Sequence, residues 1–165
     1  MRFRLEQRVP APRRAVEAAL LDPAFLAHLA DLPDLGGPTL VSRTEAGDVV
    51  RLEVRYRFTG SLSPAVTAVV DPDRLSWVEA TSFDRAAHRG EHSIVPDHYA
   101  DRLRGSYTTR LDEAPGDTTV RSVEGELRVR FPLVAGRVER AIVGGLTEHA
   151  GRESDALAAW LAEQG

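Results

Sequence analysis

Along this chain, apolar and polar residues alternate with a period of two over most of the length and with a helical period in two places. Residues 2–9 put Phe3, Leu5 and Val9 on one face and Arg2, Arg4, Glu6 and Arg8 on the other, the pattern of a half-buried strand. The stretch "PAPRRAVEAALLDPAFLAHLADL" then takes helical spacing, interrupted at Pro23 and Pro33. Pro12 suits a first helical turn, and Asp22 before Pro23 supplies an N-cap with proline at the first helical position. Two short helices are therefore predicted, over about 12–20 and 23–31. From about residue 38 to about residue 131 the period returns to two. "EAGD" at 45–48, "DPD" at 71–73 and "APGD" at 114–117 mark turns at the spacing of an antiparallel sheet.

Three strands are clearest. Strand 49–58 sets Leu52, Val54, Tyr56 and Phe58 against Arg51, Glu53, Arg55 and Arg57. Strand 102–111 gathers Leu103, Gly105, Tyr107, Thr109 and Leu111 on one side, and strand 118–131 gathers Val123, Leu127, Val129 and Phe131 opposite Glu124, Glu126, Arg128 and Arg130. "HSIVPDHYAD" at 92–101 reads as a strand end running into a loop. The charged faces read as solvated surface paired across strands.

The C-terminal "RAIVGGLTEHAGRESDALAAWLAEQG" has the pattern of one long amphipathic helix, although Gly144, Gly145 and Gly151 fall inside it. With Val138 at zero and about 100° per residue, Ile142, Leu146, Ala156, Leu157 and Trp160 occupy one buried arc. His149 and Glu153 project into the same arc and are spaced i, i+4, close enough to interact. Gly145 lies at its edge. Gly144 and Gly151 fall on the opposite side, in a stripe with Thr147, Ser154, Ala158 and Ala162. Three readings of that stripe stand: a face for a partner helix in a homodimer, a break at Gly144–Gly145 with Thr147 capping a second segment, or the glycine and alanine excess of a GC-rich genome.

The order is strand, two short helices, six or seven more antiparallel strands, one long helix. A sheet with one apolar face buries it against the helix by curling around it, so the expectation is an α+β fold in one domain over residues 1–165. Composition narrows the function. At 42% hydrophobic and 28% charged, the 165-residue chain has the balance of a globular domain. A net charge of -4, with no basic patch interleaved with aromatics, argues against nucleic acid. The absence of cysteine removes disulfides and thiol chemistry. No apolar run reaches the ~20 residues of a membrane-spanning helix, and the N-terminus reads as a strand rather than a leader, so a cytoplasmic location is expected. All basic residues other than histidine are arginine, which fits a GC-rich genome.

The element order, with "PLVAGRVERAIVGGL" leading into the last helix, resembles the START-like (SRPBCC, helix-grip) superfamily. "SWVEAT" at 76–81, "IVPD" at 94–97, "RGSYTTRL" at 104–111 and "VEGELRVRFPLVAGRVERAI" at 123–142 resemble more closely an uncharacterised actinobacterial family within it. The resemblance implies a helix-grip fold, a curved sheet of seven or eight strands around the C-terminal helix, with a cavity between them for an apolar, lipid- or polyketide-like ligand. Some members of that superfamily catalyse cyclisation or dehydration, and fold alone does not choose between these functions.

If the apolar faces line such a cavity, Tyr56, Tyr107, Thr109 and Arg121 share it. Trp77 aligns with Leu75 and Phe83, which brings Glu79 and Thr81 to the same side. A buried glutamate must be paired or protonated, and Arg121 is the candidate partner for Glu79. From the helix come Ile142, Leu146, His149 and Glu153. These groups would anchor a ligand's polar end, or equally satisfy one another. No metal site is expected: His88 and His92, four apart on one strand face, would be roughly 13 Å apart. No Gly-x-Ser-x-Gly elbow and no phosphate loop is present, and no cofactor is expected. Three functions follow: a carrier of a small, mostly apolar ligand; a cyclase- or dehydratase-type enzyme using His149 with Glu153 or Glu79 with Tyr107; or a regulatory module with a vestigial cavity.

Overall fold

The computed structural model describes residues 1–30, 37–59, 62–68 and 70–164. The chain runs β1 (Arg2–Val9), α1 (Arg13–Leu20), α2 (Pro23–Ala30), β2 (Thr39–Ala46), β3 (Val49–Arg57), α3 (Pro64–Thr67), a 3-10 turn (Pro72–Arg74), β4 (Ser76–Asp84), β5 (Arg89–Pro96), β6 (Leu103–Ala114), β7 (Thr118–Val129) and α4 (Ala135–Gln164). The seven strands form one antiparallel curved sheet in the order β1-β7-β6-β5-β4-β3-β2. This is the expected α+β helix-grip architecture. The first strand lies beside the last, pairing from Arg2 opposite Glu126 to Val9 opposite Thr119.

Tight turns set the hairpin registers. Between β6 and β7, Gly116 and Asp117 take φ of 75° and 49°, the left-handed pair that a two-strand turn demands and that Gly and Asp tolerate. The turn between β4 and β5 is residues 85–88, and His88 closes it at φ 51°. His88 therefore does not share a strand face with His92, as the period-two pattern led one to expect. Its Nδ1 instead lies 2.7 Å from the Glu17 carboxylate and ties the turn to α1. The stretch between β3 and β4 also departs from the pattern, since α3 and the 3-10 turn occupy what the alternation suggested was sheet. Proline at the head of each favours the helical turn. The expected break at Pro33 lies outside the described residues.

The interior has two apolar clusters. One joins α1, α2 and the last part of α4 to the sheet, through Val16, Phe25, Leu29, Val50, Leu111 and Leu157 among others. The other seats the start of α4, at Val134, Val138 and Ile142, on Phe58, Ile94, Leu103, Leu127 and Phe131. Helix α4 runs unbroken for 30 residues from one cluster to the other. It passes straight through Gly144–Gly145, so the reading of a break there is overturned. The Thr147 hydroxyl donates back to the Val143 carbonyl at 2.8 Å, inside the helix, instead of capping a new segment. Among the described residues no helix is long and apolar enough to cross a membrane.

Candidate functional site

Between the two clusters the sheet and α4 part to leave a cavity of about 620 Å³. Strand alternation sends inward side chains from several strands to its wall: Phe3 and Leu5 from β1, Tyr56 from β3, Trp77 and Glu79 from β4, Tyr107 from β6, Arg121 and Val123 from β7. Helix α4 closes it with Ile142, Leu146, His149 and Glu153, and Arg140, Glu148 and Arg152 stand along its lining. Of the ten site candidates from the sequence, nine thus meet in one space. Thr109 does not. It is buried farther along β6, and its hydroxyl has no partner.

Two glycines shape the walls. A Cβ on Gly125 would sit 2.5 Å from the Tyr107 Cβ and 2.7 Å from the Phe3 ring, so only glycine lets those side chains pack over β7. On α4, a Cβ on Gly145 would be 3.2 Å from the Phe58 ring. A Cβ on Gly144 or Gly151 would meet nothing within 4 Å, and both residues lie on the exposed side of the helix.

The polar pairings differ from the expected ones. Arg121 is taken by Glu153, with 2.6 Å between guanidinium and carboxylate. It is not the close partner of Glu79. Both members of the pair are largely buried; burial works against the charge of Arg121, but the Glu153 carboxylate outweighs it and holds the guanidinium protonated. With Glu153 turned toward β7, His149 packs edge-on against the Tyr56 ring at 5.5 Å. The reach of an arginine across the cavity, which helix periodicity does not register, decides this exchange.

Glu79 is held by a group that the sequence pattern did not single out for the cavity. The His92 Nδ1 lies 3.5 Å from a Glu79 oxygen and 2.9 Å from the Thr81 hydroxyl, and the His92 ring stacks on Tyr107 at 4.2 Å. The Tyr107 hydroxyl shares the cavity wall with Glu79 and helps to lower its pKa. Burial works to raise the Glu79 pKa, but these contacts and the nearby His92 and His149 outweigh it and keep the carboxyl below its ordinary 4.5. Burial, followed by the Glu79 charge, pushes the Tyr107 phenol well above its ordinary value of 10. Tyr56 moves the same way, by burial first and then by Glu79 and Glu153, with Arg121 opposing. His92 sits two residues from Gly90 and Ile94 on the inward face of β5, so alternation alone could have placed it beside Glu79. Gln7, also inward, donates its amide to the Ala150 carbonyl and ties β1 to the middle of α4.

Two donors on the wall are buried with no partner: the Trp77 indole N–H and the Arg121 Nε. Among the described residues, no group of three or more His, Asp or Glu side chains stands close enough to hold a metal ion.

This architecture recurs in solved structures. The Zhui aromatase/cyclase from Streptomyces sp. R1128 matches with a TM-score of 0.69 at 13% identity, over 99% of this chain and 94% of that one. A START superfamily protein from Mycobacterium smegmatis matches with a TM-score of 0.59 at 17% identity, over 99% of both chains. Norcoclaurine synthase from Thalictrum flavum, in complex with dopamine and hydroxybenzaldehyde, matches with a TM-score of 0.63 at 19% identity, over 100% of this chain and 88% of that one. At such identities the likeness is one of fold, and the fold is START-like. No curated protein sequence matches. The family model described as protein of unknown function DUF2505 matches residues 4–161, and the chain belongs to that family.

Proposed function

We propose that this protein binds a small, mostly apolar ligand in the cavity between sheet and α4, as a carrier or receptor and without chemistry. The carrying observation is the cavity itself, about 620 Å³ with aromatic and aliphatic walls and two buried donors, on Trp77 and Arg121, that have no partner. Sites for small molecules have this size, and here the aromatic and aliphatic wall is interrupted by four arginines and three glutamates that can anchor a ligand's polar end. A buried donor without an acceptor is costly, and a ligand oxygen reaching Trp77 or Arg121 would relieve it. The solved relatives include one holding two small aromatic molecules, which agrees with such a cargo.

Catalysis of the cyclase or dehydratase type is the second reading, favoured by the Glu79–Tyr107 contact. Acid–base efficiency, however, is greatest when the catalytic pKa lies near the working pH. Glu79 is held below the ordinary carboxylate value and Tyr107 well above the ordinary phenol value, so each is driven away from neutrality. That makes Glu79 a weak base and Tyr107 a weak acid, and it favours binding over proton transfer. The vestigial-cavity reading would require an interior filled by side chains, which the open volume argues against.

The test uses the two tryptophans, Trp77 and Trp160. In a Trp160→Phe background, Trp77 is the sole reporter, and titration with 2-naphthol should quench its emission saturably. Native mass spectrometry of gently purified protein should show an added mass of a few hundred daltons, removed by denaturation. The absence of both quenching and an added mass would rule out the carrier reading. A homodimer through the Gly144–Gly151 side of α4 is a separate proposal, decided by light scattering on the purified protein.

A further inference from the structure

We propose that the cavity's occupant is an amphiphile with a carboxylate head, held by Arg57 and Arg140 at the cavity mouth while its apolar body lies inside against Tyr56, Trp77 and Leu146. The inference rests on the binding reading above and goes on to name the ligand class and its orientation. It starts from where the lining meets water. Arg57, Thr59, Arg140, Gly144, Glu148 and Arg152 line the cavity and are exposed, so the mouth lies between the end of β3 and the outer side of α4. Tyr56, Trp77, Glu79, Tyr107, Arg121 and Ile142 line it too but are buried or half-buried, and they form its interior.

The two regions differ in charge. The mouth carries Arg57, Arg140 and Arg152 against the carboxylate of Glu148. The interior carries Arg121 against Glu79 and Glu153, with His149 on the wall and His92 3.5 Å from Glu79. Counted over the whole lining, four arginines face three glutamates, and the excess of arginine sits at the mouth. Inside, Arg121 and Glu153 answer one another at 2.6 Å, and Glu79 has His92. An acid pushed inward would meet both of these carboxylates, so its head belongs at the mouth. There, Glu148 and Arg152 are spaced i, i+4 on α4, the distance at which opposite charges pair along a helix. Arg57 and Arg140 are left, and the side chain of neither has a hydrogen bond, ion pair or ring contact among the described residues.

The rest of the wall agrees with this orientation. The Tyr56 and Trp77 rings lie nearly parallel, 21° apart with centroids 6.1 Å from one another, and offer a broad apolar surface to the body. Among the described residues, the two buried wall atoms without a partner are both donors, the Trp77 indole N–H and the Nε of Arg121, itself 8% exposed. What the lining lacks, inside and at the mouth, is acceptors, and an ionised carboxylate is acceptor only. Guanidinium groups suit such a head through paired, charge-assisted hydrogen bonds. At a solvated mouth the head also keeps part of its water, so the desolvation cost of a buried ion pair does not arise in full.

The experiment compares 2-naphthylacetate with 2-naphthylacetamide by calorimetry at neutral pH and low salt. The two share a skeleton and nearly a shape, and only the first is an anion. The acid should bind about fivefold tighter or better, the scale that two partly solvated arginines supply to one carboxylate, and added salt should shrink the difference. Replacing both arginines, Arg57→Gln with Arg140→Gln, should bring the acid down to the affinity of the amide and leave the amide unchanged. Arg57→Lys with Arg140→Lys, which keeps both charges, should keep a preference for the acid. Both side chains are exposed, so the thermal melts of these variants should match the wild type. Equal affinities in the wild type, or a preference that survives the glutamine pair, would overturn the anion assignment and leave the cavity reading standing. Binding of 2-naphthol with neither of these probes would do the same, and binding of none of the three would remove both.

Discussion

Strand β6 carries the contrast that organises this molecule. Leu103 at one end belongs to the cluster under the start of α4, Leu111 near the other end to the cluster under α1 and α2, and Tyr107 midway faces the cavity. The chain through β3 repeats the sequence with Val50, Val54, Tyr56 and Phe58, and the chain through β4 with Leu75, Trp77, Glu79 and Phe83. Helix α4 bridges the same three zones, with Val138, then His149 and Glu153, then Leu157. The two ends are close-packed hydrocarbon and supply the stability. The belt between them carries rings, charges and space. Because the ends hold the helix against the sheet, the belt can keep polar groups that would be costly if the whole interface depended on it.

The contrast has measurable consequences, the largest at the packed ends. Leu157 is fully buried, and Leu157→Ala should cost about 3–4 kcal/mol in urea unfolding, whereas Leu146→Ala on the cavity wall should cost under about 1 kcal/mol. Comparable costs would mean that the belt packs as tightly as the ends. Next comes the belt's ion pair. Arg121→Met strands the Glu153 carboxylate and should destabilise by about 3 kcal/mol, and adding Glu153→Gln should restore most of that loss. An additive double mutant would show that the two groups do not depend on one another.

Glycines sharpen the comparison further. Gly125→Ala drives a methyl to 2.5 Å from the Tyr107 Cβ and 2.6 Å from the Ser106 carbonyl oxygen, and should cost about 2 kcal/mol. Gly151→Ala on the open side of α4 should stabilise by up to about 1 kcal/mol, through helix propensity alone. A thermal melt that fell for Gly151→Ala would point to a neighbour on that face. The smallest expected effect is that of pH at Glu79. Its folded pKa lies below the ordinary 4.5, so its contribution is present above that value and fades as pH falls through the folded one. Stability of the wild type should thus drop more on acidification from about pH 5 to about pH 3 than that of Glu79→Gln, measured by urea unfolding at each pH.

How much of this was legible in the sequence varies by kind of information. Alternation in β1, β3, β6 and β7 identified which residues face inward, because a strand's period of two is local and independent of its partner. The same rule placed Tyr56, Trp77, Glu79, Tyr107 and Arg121 on inner faces, and helix periodicity did so for Ile142, Leu146, His149 and Glu153. It failed at His88, where a tight turn rather than a strand holds the residue, and at Gly144–Gly145, where packing of both helix ends carries the helix through two residues of poor propensity.

What the sequence determined by itself was therefore the set of inward residues and the order of the elements, since both follow from periodicity and turn chemistry within a few residues. Tertiary structure alone decided which inward groups meet. Residues 121 and 153 are 32 positions apart, and the pairing of Arg121 with Glu153 rather than Glu79 depends on the level at which α4 crosses the sheet. That level is set by the two apolar clusters at its ends. The exclusion of Thr109 from the cavity and the capture of Glu79 by His92 follow from the same placement. No local pattern encodes it, because it is the summed packing of side chains from every strand.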